Sequence, residues 1–405
     1  MIFEGKIVNH DSQTYGQVKI GGDGLIEAVG ENLGTADLEI PGFIFPGFVD
    51  VHVHAREDAS GSQNYKEDFR TMSEAAIHGG VVAVCDMPNN KVVPVSDELY
   101  EAKQALTTSS LVDILLYGAI VPGSKPLKQN IPYKVYMGPS VGNAFFSSFA
   151  ELAETVSDYR GCSVSFHCED PELLAAREKE STHETRRPRG AEISAVKVAC
   201  DLVERYGFSA KISHISTVEA VEIVAAAKAK NLPITCEVAP HHLYFDTDSL
   251  TADQLRLLQV NPPLRTKRDR QALISALKDG VIDYLASDHA PHTREEKKQG
   301  ISGLPHLDTY GSFITWLMVE QGFTARDIAR ISAFNPGNFI NEFTENKFGR
   351  IEAGFVGSLS IVDPDSEITV RREDLKTKCA WSPFEGVRFP GRVTHTVVRG
   401  KIYEN

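Results

Sequence analysis

The 405-residue chain carries 42 basic and 55 acidic side chains, and the resulting net charge of −13 excludes a protein that rests on a basic surface to hold nucleic acid. Hydrophobic content of 42% and charged content of 24% are those of a soluble globular protein, long enough for a barrel-sized core and a smaller module. No apolar run approaches the roughly 20 residues that cross a bilayer, no signal peptide is readable at Met1-Ile2-Phe3-Glu4-Gly5-Lys6, and the six cysteines lack Cys-x-x-Cys spacing, so a cytoplasmic protein with reduced, buried thiols is expected.

In chain order, the first 48 residues read as short strands punctuated by glycine, at 6–8, 17–20 and 25–29, with a turn at Gly21-Gly22-Asp23-Gly24. An apolar run from Phe43 then leads into His52-Val53-His54. Beyond it, apolar strand-like runs at 81–86, 114–118, 133–136, 164–167, 211–214, 234–238 and 282–287 alternate with helical patterns such as 218–228. With the strand that ends in His54, this makes eight βα units, the number that closes a TIM barrel. From about Gly349 the short-strand texture returns, at 359–362 and 394–398. Neither end has enough strands to bury a face alone, so both are expected to join in one β module.

The polar residues that stand out fall where barrel strands end. Side chains two apart on a strand share a face, so His52 and His54 aim two imidazoles in one direction, as zinc-like ions require. Lys134 lies in the fourth strand, His167 ends the fifth, His214 the sixth, and Asp288 the eighth. Each has a plain alternative: a loop cap for His167, a backbone hydrogen bond for His214, a surface position for Lys134, a cap for Asp288. Those alternatives would all have to hold at one end of one barrel. An ammonium cannot ligate a cation, but a deprotonated lysine can add carbon dioxide to become a carbamate whose two oxygens bridge a pair of metals. Two divalent ions with a bridging hydroxide would supply a nucleophile, with Asp288 as its acid and base. Glu237, beside Cys236, reads as a buried strand acid paired to Arg265 or to a histidine, in preference to a ligand of a further metal site.

Pro46-Gly47-Phe48-Val49-Asp50-Val51-His52-Val53-His54-Ala55-Arg56-Glu57 resembles the opening signature of the cyclic amidohydrolases, in their dihydroorotase branch. The resemblance continues through Asp86-Met87-Pro88-Asn89-Asn90, Cys236-Glu237-Val238-Ala239-Pro240-His241-His242-Leu243, Val260-Asn261-Pro262-Pro263-Leu264-Arg265 and Ser287-Asp288-His289-Ala290-Pro291-His292. It implies a TIM barrel over residues 49–345 and a β-sandwich built from 1–48 and 346–405. It also implies reversible closure of N-carbamoyl-L-aspartate to L-dihydroorotate, in pyrimidine biosynthesis. His52, His54, Lys134, His167, His214 and Asp288 match the metal ligands, with zinc the expected ion. Arg56, Asn89 and His292 match positions that hold the substrate carboxylate, and Asn261 one that contacts the pyrimidine ring. The chain departs from the pattern at Asp58-Ala59 where Pro-Gly is usual, at Asn90 where Thr is usual, and at His306 and Asp308.

A carboxylated substrate needs a fixed cation, and Arg56 lies on the face of His54, close to the metals. That favours dihydroorotate over hydantoin or allantoin as substrate. The rival of a different class is a silent relative that scaffolds a pathway partner such as aspartate transcarbamoylase, which would be free to lose ligands; all six are present. Association with that partner and homo-oligomerisation are left open, as is whether the segment 293–303 closes over the substrate.

Overall fold

A computed structural model describes residues 1–140 and 144–405. Its centre is a parallel barrel of eight strands: Phe48–Val53, Val81–Asp86, Asp113–Leu116 continued by Gly118–Ile120, Tyr133–Tyr136, Ser163–His167, Ser209–Ile212, Ile234–Val238 and Tyr284–Leu285. The ring closes where the His54 N–H donates to the His289 carbonyl at 2.8 Å, beside a parallel bridge from Val53 to His289. The third strand is split by Tyr117. Its first half pairs with the second strand and its second half with the fourth. The fully buried Tyr117 ring enters the barrel and its hydroxyl donates to the Val51 carbonyl at 3.1 Å. The outer layer of helices includes Phe69–His78, Arg189–Tyr206, Val218–Ala229 and Lys267–Lys278, three of them started by Asp68, Thr217 and Thr266, which accept from the backbone of the first turn.

Both chain ends meet in one seven-stranded mixed sheet. From edge to edge it runs Lys401–Glu404, Arg392–Val398, Leu359–Asp363, Leu38–Pro46, Ile2–Val8, Gln13–Ile20 and Ile26–Gly30. Alternation along its strands gives two apolar faces. Phe3, Ile7, Ile44, Ile361 and Val397 enclose the module's own core, while Phe45, Val362 and Val398 pack on the barrel. A two-stranded ribbon, Ile368–Thr369 with Arg388–Phe389, stands apart from that sheet.

The apolar run that leads into His52 is two strands. Leu38–Pro46 belongs to the end sheet and Phe48–Val53 to the barrel, with Gly47 between them. A Cβ at Gly47 would lie 2.3 Å from a Val82 methyl, so the crossing requires a residue without one. All six cysteines are unpaired as expected, but Cys162 and Cys379 are partly exposed while the other four are buried. Among the described residues, no helix is long and apolar enough to cross a membrane.

Gly79 is a second point of close backbone approach. A Cβ there would meet the Leu307 carbonyl oxygen at 1.8 Å, and that atom cannot move without shifting the helix Tyr310–Val319 behind it. Gly79→Ala is therefore expected to cost about 1–3 kcal/mol, the usual size of an overpacking penalty. A lower midpoint of urea unfolding checks this, and an unchanged midpoint would show that the two segments can separate freely.

Candidate metal centre and substrate cavity

The barrel strands end at a cavity of about 360 Å³, counting its open mouth. Of the residues singled out in the sequence, His52, His54, Arg56, Asn89, His167, His214, Asn261 and Asp288 line it. Lys134 and His292 stand behind that wall. Tyr136, Ser140, Ser302 and Gly303 also line it, and sequence reasoning did not single them out.

His52, His54 and Asp288 form a buried group whose ligand atoms lie within 4.8 Å of one another. The outer hydrogen bonds settle how they face. His52 Nδ1 is bonded to the Glu237 carboxylate, and His54 Nδ1 lies 2.6 Å from the Asn89 side-chain oxygen. Both Nδ1 atoms therefore carry the proton, and both Nε2 lone pairs are turned inward. They point at the same Asp288 oxygen, at 3.3 and 3.2 Å. Two lone pairs against a carboxylate oxygen is an arrangement of acceptors only, which suits a cation between them.

A second pair of imidazoles lies in the same cavity wall, with only one tautomer fixed from outside. His167 Nε2 donates to Glu169 at 2.9 Å, which leaves Nδ1 free of its proton and 2.9 Å from His214 Nε2. His214 Nδ1 is buried without a partner among the described residues. Burial holds the imidazoles of His52, His54 and His214 well below their usual pKa, and that of His167 below it, so all four are neutral and able to ligate. Two cations near them, Lys134 for His52 and Arg56 for His54, add to the effect.

Lys134 is fully buried, which rules out the surface position its sequence allowed. Its Nζ meets the Ser213 hydroxyl at 2.5 Å, behind the imidazoles. Burial and the nearby Lys211 charge pull its pKa down to about 7, so an uncharged amine is available near neutrality. Asp288 moves the other way: burial and the Glu237 charge push its carboxyl up to about 7.

Glu237 bonds to His52 and to the buried Lys211, and accepts from the His214 N–H at 3.3 Å. Of its two expected partners, the histidine is present and Arg265 is not. Arg265 instead reaches Ser216 and the Arg187 carbonyl. Glu169 lies between His167 and Arg187. Burial raises its pKa, but Arg187 and His167 outweigh this and leave it at about 2. Sequence signals for Glu169 were faint: an acid two residues past a histidine has many ordinary explanations.

Backbone strain gathers here too. Arg56, His214 and Asp288 have φ of 65°, 35° and 47°, a left-handed conformation that non-glycine residues adopt at a cost of order 1–3 kcal/mol. Each sits at a strand end, where the turn redirects the side chain into the cavity.

Arg56 is 2% exposed. Its Nε donates to the Pro291 carbonyl at 3.3 Å and Nη2 to His292 Nε2 at 3.1 Å, while Nη1 is buried with no partner among the described residues. His292 thus braces Arg56 from behind, with Lys66 and Glu296 at its other nitrogen. Burial, aided by Arg56, lowers its pKa to about 3 and keeps it neutral. The segment 293–303 carries several hydrogen bonds. Thr293 caps the helix Arg294–Lys298, and the buried Lys297 ammonium donates to the carbonyls of Gln259, Ile301 and Gly303. Trp381, from the C-terminal segment, donates to the His292 carbonyl at 2.6 Å.

The profile of the Amidohydrolase family matches residues 43–403. Dihydroorotase of Pyrococcus furiosus is 35% identical to the chain, over 89% of the chain and 81% of the relative. Dihydroorotase of Lactobacillus acidophilus is 33% identical over 94% and 93%, and that of Macrococcus caseolyticus 30% identical over 98% and 96%. Among solved structures, L-hydantoinase of Arthrobacter aurescens superposes with a TM-score of 0.90 over 100% of this chain and 96% of its own, at 24% identity, which speaks to the shared fold alone. With its barrel, its convergent histidines and this match over most of its length, the chain belongs to the amidohydrolase family, as a metal-dependent cyclic amidohydrolase most similar in sequence to the dihydroorotases among these relatives.

Proposed function

We propose that the protein catalyses the reversible closure of N-carbamoyl-L-aspartate to L-dihydroorotate, a step of pyrimidine biosynthesis. The observation that carries this reading is Arg56, a buried guanidinium beside the metal centre with one nitrogen, Nη1, still to be satisfied. A ring with no carboxylate would leave that cation buried and unpaired, which is costly. A carboxylated ring satisfies it. The dihydroorotase names of the relatives support the same choice.

His52, His54, His167, His214, Asp288 and a carboxylated Lys134 would hold two divalent ions, and an imidazole-rich set of this kind suits zinc. When bound, such ions polarise a carbonyl and lower the pKa of water so that hydroxide is available at neutral pH. Everything else falls to the chain. Arg56 holds the carboxylate, braced by His292, and Asn89 shares the cavity wall with it. Asn261, whose side-chain oxygen is buried and unpartnered among the described residues, accepts from a ring N–H. In ring opening, Asp288 takes the proton of the attacking water and delivers it to the ring nitrogen as the C–N bond breaks. In closure it removes the proton from the ureido nitrogen as the new C–N bond forms and returns it to the departing water.

The direct test is turnover of L-dihydroorotate by the zinc-loaded protein, with hydantoin and allantoin under the same conditions. Selective opening of dihydroorotate is expected; selective opening of either other ring would overturn the reading. Arg56→Ala should raise KM for dihydroorotate roughly 10- to 100-fold, the worth of a hydrogen bond to a charged group, and an unchanged KM would remove Arg56 from the substrate. For the carbamate, Lys134→Ala should lower the bound zinc, and added propionate should restore part of it by lending two carboxylate oxygens. Full zinc content in Lys134→Ala without any additive would show that Lys134 holds no metal.

A further inference from the structure

Beside Arg56 Nη1, the cavity wall presents a second unsatisfied group. The Tyr136 hydroxyl is buried and has no partner among the described residues. Tyr136 ends the fourth barrel strand two residues after Lys134, so both side chains point into the barrel mouth. The ring is wedged in place. Its centroid lies 5.6 Å from that of His167 and 5.4 Å from Lys134 Nζ. A phenylalanine would fill this space equally well and would avoid the penalty of about 1–3 kcal/mol for burying an unpaired hydroxyl. The phenol oxygen therefore has a use that packing does not supply.

That use is to donate. A phenol keeps its proton at neutral pH, so the unpartnered oxygen in the cavity wall has a hydrogen to give. Arg56 is close enough for its charge to be felt by the phenol, and two of its three nitrogens are already committed to Pro291 and His292. The wall thus offers two donors, Arg56 Nη1 and Tyr136 Oη, to whatever enters. Asn261 differs: its free atom is an oxygen, which an anion would avoid.

We propose that Tyr136 is a specificity-determining residue that donates a hydrogen bond to the substrate carboxylate, forming a two-point grip with Arg56 Nη1. This rests on the reading of the substrate as a carboxylated cyclic amide. Charge alone draws the anion to Arg56, but a single guanidinium nitrogen leaves the carboxylate free to rotate. A second donor on another strand fixes its plane, and with it the distance of the ring carbonyl from the metal centre. An uncarboxylated ring leaves both donors unpaired, so the same pair discriminates against it.

The test compares the zinc-loaded wild type with Tyr136→Phe on L-dihydroorotate and on 5,6-dihydrouracil, the same ring without the carboxylate. Far-UV circular dichroism and zinc content serve as checks on folding. Tyr136→Phe is expected to raise KM for dihydroorotate about 10-fold or more, with a smaller loss of kcat and no loss of kcat/KM on dihydrouracil. Combined with Arg56→Ala, it should add less than its separate effect, because both act on one carboxylate. An unchanged KM would overturn the assignment. So would a large fall in kcat on both rings at constant KM, which would place the hydroxyl at the reacting carbonyl instead. Wild type that opens dihydrouracil but not dihydroorotate would overturn the substrate reading and this assignment together, whereas wild type active on dihydroorotate with an indifferent Tyr136→Phe overturns this one alone.

Discussion

At the centre of the barrel mouth, two imidazole lone pairs are held against a carboxylate oxygen. His52 and His54 turn their Nε2 atoms toward one Asp288 oxygen, and His167 Nδ1 faces His214 Nε2. Left to themselves, neutral imidazoles would rotate to place an N–H against each acceptor. What prevents this is a ring of outer partners: Glu237 on His52, Asn89 on His54 and Glu169 on His167. Each fixes a tautomer by claiming the proton on the far nitrogen. Glu237 is itself held by Lys211, and Glu169 by Arg187. The charge of every outer carboxylate is thus balanced outside the metal centre, and the inner set keeps its capacity to accept a cation.

The rest of the architecture serves to hold that ring. Parallel strands in a closed barrel bring residues far apart in sequence to one rim, and closure through His54 and His289 sets the first strand beside the eighth. The C-terminal segment takes part as well. Thr377 bonds to Glu67, which bonds to His289, and Trp381 bonds to the His292 carbonyl. A segment that returns from the end sheet therefore braces the floor behind the substrate cavity.

Two kinds of positive charge surround the site and differ in use. Lys211 and Lys297 are buried and fully engaged, one by Glu237 and one by three carbonyls. They are structural. Lys134 and Arg56 are buried with capacity left over, Lys134 because the Ser213 hydroxyl is its one hydrogen-bond partner among the described residues and Arg56 because one nitrogen is unpaired. Spare capacity inside a cavity, rather than charge as such, separates a group awaiting a ligand from one that holds the fold.

Reading the chain alone pointed to the barrel and to the residues that the structure gathers at its mouth. Period-two alternation places His52 and His54 on one face, and apolar runs separated by helical patterns give the number of βα units. These are local signals, carried by neighbours in the chain. It could not divide the apolar run at Gly47 into two strands of different sheets, because hydrophobicity is continuous across a crossing between cores. Nor could it pair Glu237 with Lys211 rather than Arg265, show that Lys134 is buried, or set Tyr136 beside Arg56. Those depend on which strand ends face each other across a closed ring and on which donors are already claimed, and neighbours along the chain carry no record of either.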